Sequence, residues 1–253
     1  MSGMKNIVGI IPARYASTRF PGKPLHVIGG KPLIQHVVER CRESARLTDV
    51  IVATDDRRIA EVTGKFCRTE MTRGDHPSGT DRIAEVAGRL GDEVGGIVNI
   101  QGDEPLIDPG VIDAVAVKLE EFEMSTAAVR ISDGAALSNP NIVKVVMGAG
   151  GRALYFSRSM IPYVRDHGGA QADKLVEQVS FFHHLGIYGY RRTVLENLVQ
   201  LPVSVLEEVE KLEQLRALEA GISIGVVVTA RRSIGVDTPE DAELVEKLLA
   251  QNG

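Results

Sequence analysis

Arg14, Arg19 and Lys23 stand among the small residues Ala13, Ser17, Thr18 and Gly22 in the stretch from Gly9 to Leu25. Small residues let backbone amides approach a ligand, and the three side chains supply positive charge, so this loop suits an anion with several oxygens. It follows the apolar run Ile7 to Ile11, which reads as a buried strand that the chain leaves at Pro12, where the chain must turn. In an open α/β sheet the loop after a first strand lies at the carboxyl end, where ligands bind. Neither the Walker pattern nor the three-glycine dinucleotide pattern is present, which argues against a P-loop ATPase and a dinucleotide-dependent dehydrogenase. A basic surface loop with a Pro-Gly turn is the other reading that this stretch leaves open.

Further polar residues fall at strand ends. The run Gln101-Gly102-Asp103-Glu104-Pro105 closes an apolar segment from Gly96 to Ile100. An acid there, just past a glycine that admits close backbone approach, can hold Mg2+ against a triphosphate; Asp103 is favoured over Glu104, and a turn acid without a ligand is the alternative. In the loop from Met71 to Thr80, Arg73, His76, Ser78 and Gly79 offer hydrogen bonds suited to a base edge, although Ser78 or Thr80 could equally cap the next helix. Asp55 and Asp56 follow a second strand and fit helix capping better than a metal. Lys144, Arg158, His184 and Tyr188 lie in a β-rich region, and strand alternation puts positions 184, 186, 188 and 190 on one face. Such donors suit a hydroxyl-rich acid; aromatic packing with satisfied polar tips is the alternative. Asp237 precedes a helix capped by Thr238 and started by Pro239, and is free for other work.

The elements that must position these residues alternate between strand and helix. Leu33, Ile34, Val37, Val38 and Cys41 share one helical face, with His36 off it and solvated; Asp49 to Thr54 forms the second strand and Phe66 to Thr69 a third. Ile83, Val86, Ala87 and Leu90, then Ile112, Val115, Ala116 and Leu119, mark two more helices. From Thr126 the texture becomes β-rich, with strands at 127–131, 142–147, 153–156 and 182–190, which could form an arm, a lid or a partner contact. A helix after Ser204 carries Glu207, Glu208, Glu210 and Glu213 as a mostly solvated face, and the last strand runs from Ile222 to Val228.

With 253 residues, 43% of them hydrophobic and 25% charged, the chain can bury a full core as an ordinary globular protein. Its 29 basic and 34 acidic residues leave a net charge of -5, so neither nucleic acid nor an anionic membrane is an expected partner, and any anion site must be local. Cys41 and Cys67 read as small core residues of a reducing compartment. The N-terminal residues lack a secretory pattern and no apolar run is long enough to span a bilayer, so the expected location is cytoplasmic.

Five motifs in order carry a resemblance: Pro12-Ala13-Arg14 through Lys23, Gln101 to Pro105, His184-Leu185-Gly186-Ile187-Tyr188-Gly189-Tyr190, Leu212-Glu213-Gln214-Leu215-Arg216, and Gly235 to Asp241. Together they span about residues 7 to 245 and resemble the 3-deoxy-manno-octulosonate cytidylyltransferases, or CMP-Kdo synthetases, of Gram-negative bacteria. The resemblance implies a single α/β nucleotidyltransferase domain over 1–253, with a doubly wound, mostly parallel sheet of nucleotide-diphospho-sugar transferase type. It also implies a β-rich insertion at about 126–190 for dimerisation and sugar binding, a homodimer, and Mg2+ dependence. The implied reaction joins CTP and Kdo to give CMP-Kdo and pyrophosphate for lipopolysaccharide biosynthesis. By the same resemblance, Arg14 and Lys23 hold the triphosphate, and Arg73, Ser78 and Gly79 lie by the cytosine. Gln101, Arg158, His184, Tyr188 and Glu213 meet the sugar acid, and Asp103 and Asp237 bind the metal. A close analogue such as 8-amino-Kdo stays open as the acceptor.

Overall fold

The computed structural model describes residues 6–16, 20–165, 172–231 and 233–252; Ser17, Thr18 and Arg19 of the opening loop lie outside them. The first half alternates: β1 (Ile7–Ala13), a short hairpin of β2 (Val27–Ile28) and β3 (Lys31–Pro32), α1 (Leu33–Arg42), β4 (Leu47–Thr54), α2 (Arg57–Thr63), β5 (Arg68–Met71), α3 (Gly79–Ala87), β6 (Gly96–Asn99) and α4 (Pro109–Lys118). The second half runs β7 (Met124–Arg130), α5 (Gly134–Ser138), β8 (Lys144–Met147), β9 (Ala153–Ser157), α6 (Ala172–Gln178), β10 (Phe182–Arg191), α7 (Arg192–Leu198), α8 (Val205–Glu210), α9 (Gln214–Glu219), β11 (Ile224–Thr229) and α10 (Pro239–Asn252).

Strand order across the central sheet is β11-β7-β10-β6-β1-β4-β5, with β8 pairing to β10 and β9 to β8. β1 is parallel to β4 and β6, β4 to β5, and β7 to β11; β10 runs against its neighbours β6 and β7, and β8 runs against β9 and β10. Helices cover both faces, which is why the central strands read as unbroken apolar runs. Alternate residues divide between two cores: Ile10, Ile51 and Ile97 pack with Ile83, Val86 and Leu215 on one face, and Ile11, Val52 and Val98 pack with Ile34, Val37 and Ile112 on the other. Cys41 and Cys67 are buried and unlinked, as core residues should be. Among the described residues no helix is long and apolar enough to cross a membrane.

Several local expectations are corrected. β1 continues through Pro12 to Ala13 instead of ending at the proline. The Ile10 carbonyl accepts from Ile100 N on the β6 side, so the nitrogen of Pro12, two residues on, faces past the end of that ladder, where no donor is needed. His36 is not simply solvated: its Nε2 lies 2.8 Å from the Ile28 carbonyl, fastening α1 to the hairpin. The single helix expected after Ser204 is two, broken at Lys211, whose φ of 53° is left-handed. Glu208 stays exposed as expected, whereas Glu207 and Glu210 turn inward. Glu207 completes a capping box with Ser204 and pairs with Arg216, while Glu210 accepts from Ser157 Oγ at 2.6 Å and from Arg158 N at 3.0 Å. In the β-rich middle, β7 and β10 run within the central sheet, and β8 and β9 project from it as a hairpin.

Lys144, fully buried, roots that hairpin. Its Nζ donates to the carbonyls of Asn139 at 2.9 Å, Ile142 at 2.8 Å and Arg158 at 2.8 Å, so the ammonium's three protons are all used. Burial first, then the nearby Arg158 charge, lowers its pKa. Lys144→Met keeps the apolar stem but strands three carbonyls, and should lower unfolding free energy by about 3 kcal/mol in urea denaturation. An unchanged midpoint would show that these bonds contribute nothing.

Candidate active site

Lys23 opens a short 3-10 turn after Gly22, whose φ of 71° places it in the left-handed region and so suits a residue without a Cβ. Its Nζ reaches Asp103 Oδ2 at 2.7 Å and Asp237 Oδ1 at 3.3 Å. Both carboxylates named as metal ligands therefore converge on one cationic nitrogen. Each comes from a different loop. Asp103 follows β6, and its backbone carbonyl accepts from Val236 N at 2.8 Å, which ties the segment before α10 to it. Asp241 Oδ2 accepts from the N–H groups of Asp237 and Thr238 at 2.9 Å each, so the start of α10 orients Asp237. Glu104 is the poorer cation ligand: burial and then the adjacent Asp103 push its carboxyl up to about 7.

Beside this cluster opens a cleft of about 510 Å3 lined by Pro12, Arg14, Lys23, Ser78, Gly79, Gln101, Gly102 and Asp103, among others. Backbones approach closely here, since a Cβ on Gly102 would lie 3.1 Å from the Pro12 carbonyl oxygen. Arg14 spans to the opposite loop, donating to the carbonyls of His76 at 2.6 Å and Ser78 at 3.0 Å. Ser78 caps α3, with its Oγ accepting from Asp81 N at 3.2 Å, and it also lies 2.9 Å from Glu213 Oε1. The second Glu213 oxygen accepts from Thr80 Oγ1 at 3.0 Å. Burial raises the Glu213 pKa, and the bonds from Ser78 and Thr80 oppose that rise. Arg73 stands apart from the cleft: it lines a separate cavity with His76, Glu85 and Glu196, and its backbone N–H donates to Glu85 at 3.1 Å. Asp56 caps α2, and Asp55 pairs with the buried Arg82 at 3.2 Å.

Behind Gln101 lies β10. A bulge between Leu185 and Tyr188 interrupts its pairing to β7, and Gln101 Nε2 donates to the Gly186 carbonyl within it at 3.0 Å. His184, Tyr188 and Tyr190 share a face, with ring centroids 5.2 Å and 6.1 Å apart in succession. Burial, then the neighbouring His183, pushes His184 down to about 3, so the imidazole is neutral near pH 7. Burial likewise raises the Tyr188 phenol well above its usual value. Arg158 donates through its guanidinium to the carbonyls of Glu210 at 2.7 Å, Pro140 at 3.1 Å and Lys211 at 3.3 Å. Sequence reasoning missed Thr126, which touches His184 from β7, and Glu210, which anchors Arg158. Neither carries a local signal, because both act across strands or between distant loops.

This architecture has relatives. The sequence matches the cytidylyltransferase family over residues 8–224. A 3-deoxy-manno-octulosonate cytidylyltransferase of Geobacter sulfurreducens is 52% identical over 96% of this chain and 99% of its own. One from Leptospira interrogans is 50% identical over 96% and 95% respectively. Among solved structures, a CMP:2-keto-3-deoxy-manno-octonic acid synthetase complexed with CTP superposes with a TM-score of 0.89 at 43% identity, covering 98% of this chain and all of that one. A 4-diphosphocytidyl-2C-methyl-D-erythritol synthase of Anaerococcus prevotii, at a TM-score of 0.65 and 12% identity, shares the fold. By near-full-length likeness in sequence and in structure, this chain belongs to the 3-deoxy-manno-octulosonate cytidylyltransferase family.

Proposed function

We infer that this chain transfers CMP from CTP to Kdo, releasing pyrophosphate, as the names of its relatives indicate. The observation that carries the reading is the convergence of Asp103 and Asp237 on Lys23 at the mouth of a cleft that Arg14 also lines. A phosphoryl-transfer site needs little covalent chemistry: it must hold a polyanion, orient the attacking hydroxyl in line with departing pyrophosphate, and neutralise charge. Arg14 and Lys23 are the cations for the triphosphate, and Ser78 and Gly79 form the wall for the cytosine. Arg73, on its separate cavity, would have to turn to join them. Gln101, Arg158, His184, Tyr188 and Glu213 are assigned to the sugar acid.

Asp103 and Asp237 fit a divalent cation, since their oxygens already share one positive group, and we assign Mg2+ to them. When bound, the metal would neutralise phosphate charge and lower the pKa of a coordinated hydroxyl. Lys23 then has two stations. Without nucleotide its ammonium screens the two carboxylates from each other; with nucleotide it leaves them for phosphate oxygens. We further propose a homodimer formed through the β-rich region at about 126–190 of a single domain, working in the cytoplasm, where CTP is available.

The direct test mixes the protein with CTP, Mg2+ and either Kdo or 8-amino-Kdo and measures pyrophosphate; no release with either sugar sinks the reading. Asp103→Asn and Asp237→Asn should each slow release by about 100-fold or more with melting temperatures little changed. Full activity in either would remove that residue from the metal site. Lys23→Met, assayed without nucleotide, should bind Mn2+ about tenfold more tightly than the wild type by electron paramagnetic resonance, because the competing ammonium is gone. Equal or weaker binding would mean that Lys23 does not guard the site.

A further inference from the structure

A neutral imidazole has one N–H and one lone pair, and the nitrogen that carries the proton decides whether the ring's open side donates or accepts. For His184 that choice is made by a residue outside the motifs. Thr126 is fully buried on β7, and its Oγ1 lies 2.7 Å from the Ile187 carbonyl, 3.2 Å from the Leu185 carbonyl and 2.9 Å from His184 Nε2. A hydroxyl has one proton and two lone pairs, and a carbonyl can only accept. The Thr126 proton therefore goes to a carbonyl, with Ile187 the closer, and a lone pair is what remains for the histidine. Nε2 must be the protonated nitrogen.

The bulge in β10 makes this arrangement possible. In a regular ladder residue 126 would face one position of its partner strand, but the register slips between Leu185 and Tyr188. Two carbonyls then turn toward one hydroxyl. Gln101 holds the intervening Gly186 carbonyl from the cleft side, so the bulge is pinned at both edges. The ring plane is held as well: Phe156 meets the imidazole edge-on at 5.0 Å, and Tyr188 lies against it at 5.2 Å. Among the described residues the hydrogen bond made by the His184 ring is the one at Nε2.

We propose that Thr126 is a positioning residue that fixes His184 as its Nε2–H form, so that Nδ1 accepts a hydrogen bond from a hydroxyl of the sugar acid. The proposal rests on the reading that the sugar acid meets His184, and it sharpens that reading. An imidazole that presents only a lone pair selects a donor, so it takes a hydroxyl and disfavours the substrate's carboxylate, which belongs on the cationic side of the site.

The test uses the full chain labelled with 15N. Long-range proton–nitrogen correlation spectra identify the His184 signals by their loss in His184→Ala. Wild type and Thr126→Ser should show a protonated Nε2 and an unprotonated Nδ1, and Thr126→Val should lose that pattern. In kinetics, Thr126→Val should raise KM for Kdo about tenfold with KM for CTP unchanged, and Thr126→Ser should restore it, as expected for one hydrogen bond. A wild type protonated at Nδ1 overturns the proposal without any variant having to fold. So does a Thr126→Val enzyme with unchanged KM for Kdo while His184→Ala raises it. If His184→Ala itself leaves KM for Kdo unchanged, the sugar acid does not meet His184, and the underlying reading fails with the proposal.

Discussion

Two ionised carboxylates far apart in the chain repel each other at one cleft unless positive charge lies between them, and Lys23 supplies that charge for Asp103 and Asp237. The rest of the architecture follows from bringing these three groups to one edge. β1 and β6 are parallel neighbours, so the loops that leave them, one with Arg14 and Lys23 and the other with Asp103, open on the same side. The third group arrives by a different route. The Val236 N–H on the Asp103 carbonyl and the Asp241 carboxylate at the start of α10 deliver Asp237, so the last helix closes a site begun by the first strand.

β10 joins that phosphate-binding half to the rest. It runs against β6 and β7, and its N-terminal residues consequently lie beyond the carboxyl end of β6. Gly186 thus meets Gln101 while Tyr188 pairs with Asn99 inside the sheet. Glu213 does similar work between helices: its two oxygens bind Ser78 and Thr80, so the N-terminus of α9 is clasped to that of α3. The wall assigned to the base and the residues assigned to the sugar are therefore mechanically linked before any ligand is present.

How much was legible beforehand depended on the range of the interaction. The faces of α1, α3 and α4 and the runs of β1, β4 and β6 follow from local periodicity, and those faces are buried except at Leu90, which lies past the end of α3 and is half-buried. Capping by Asp56 and by Ser78 was equally readable, because a cap acts within three residues of itself. Local reasoning failed where a distant partner changed the local rule. Pro12 stays in its strand because the neighbouring ladder has already ended, and His36 is tethered by a hairpin carbonyl. Glu207 and Glu210 turn inward because Lys211 breaks the helix and Arg216, Ser157 and Arg158 await them.

The order of motifs in the chain determined the family, the mostly parallel sheet and the residues worth testing, because side-chain chemistry and periodicity are properties of the residues themselves. Tertiary structure alone decided that Asp103 and Asp237 meet on Lys23, that Arg73 stands on a separate cavity, and that Thr126 reaches His184. Those outcomes depend on strand register, on a bulge and on a loop tied to a helix start. They are settled by hydrogen bonds between segments far apart in the chain, which no local pattern encodes.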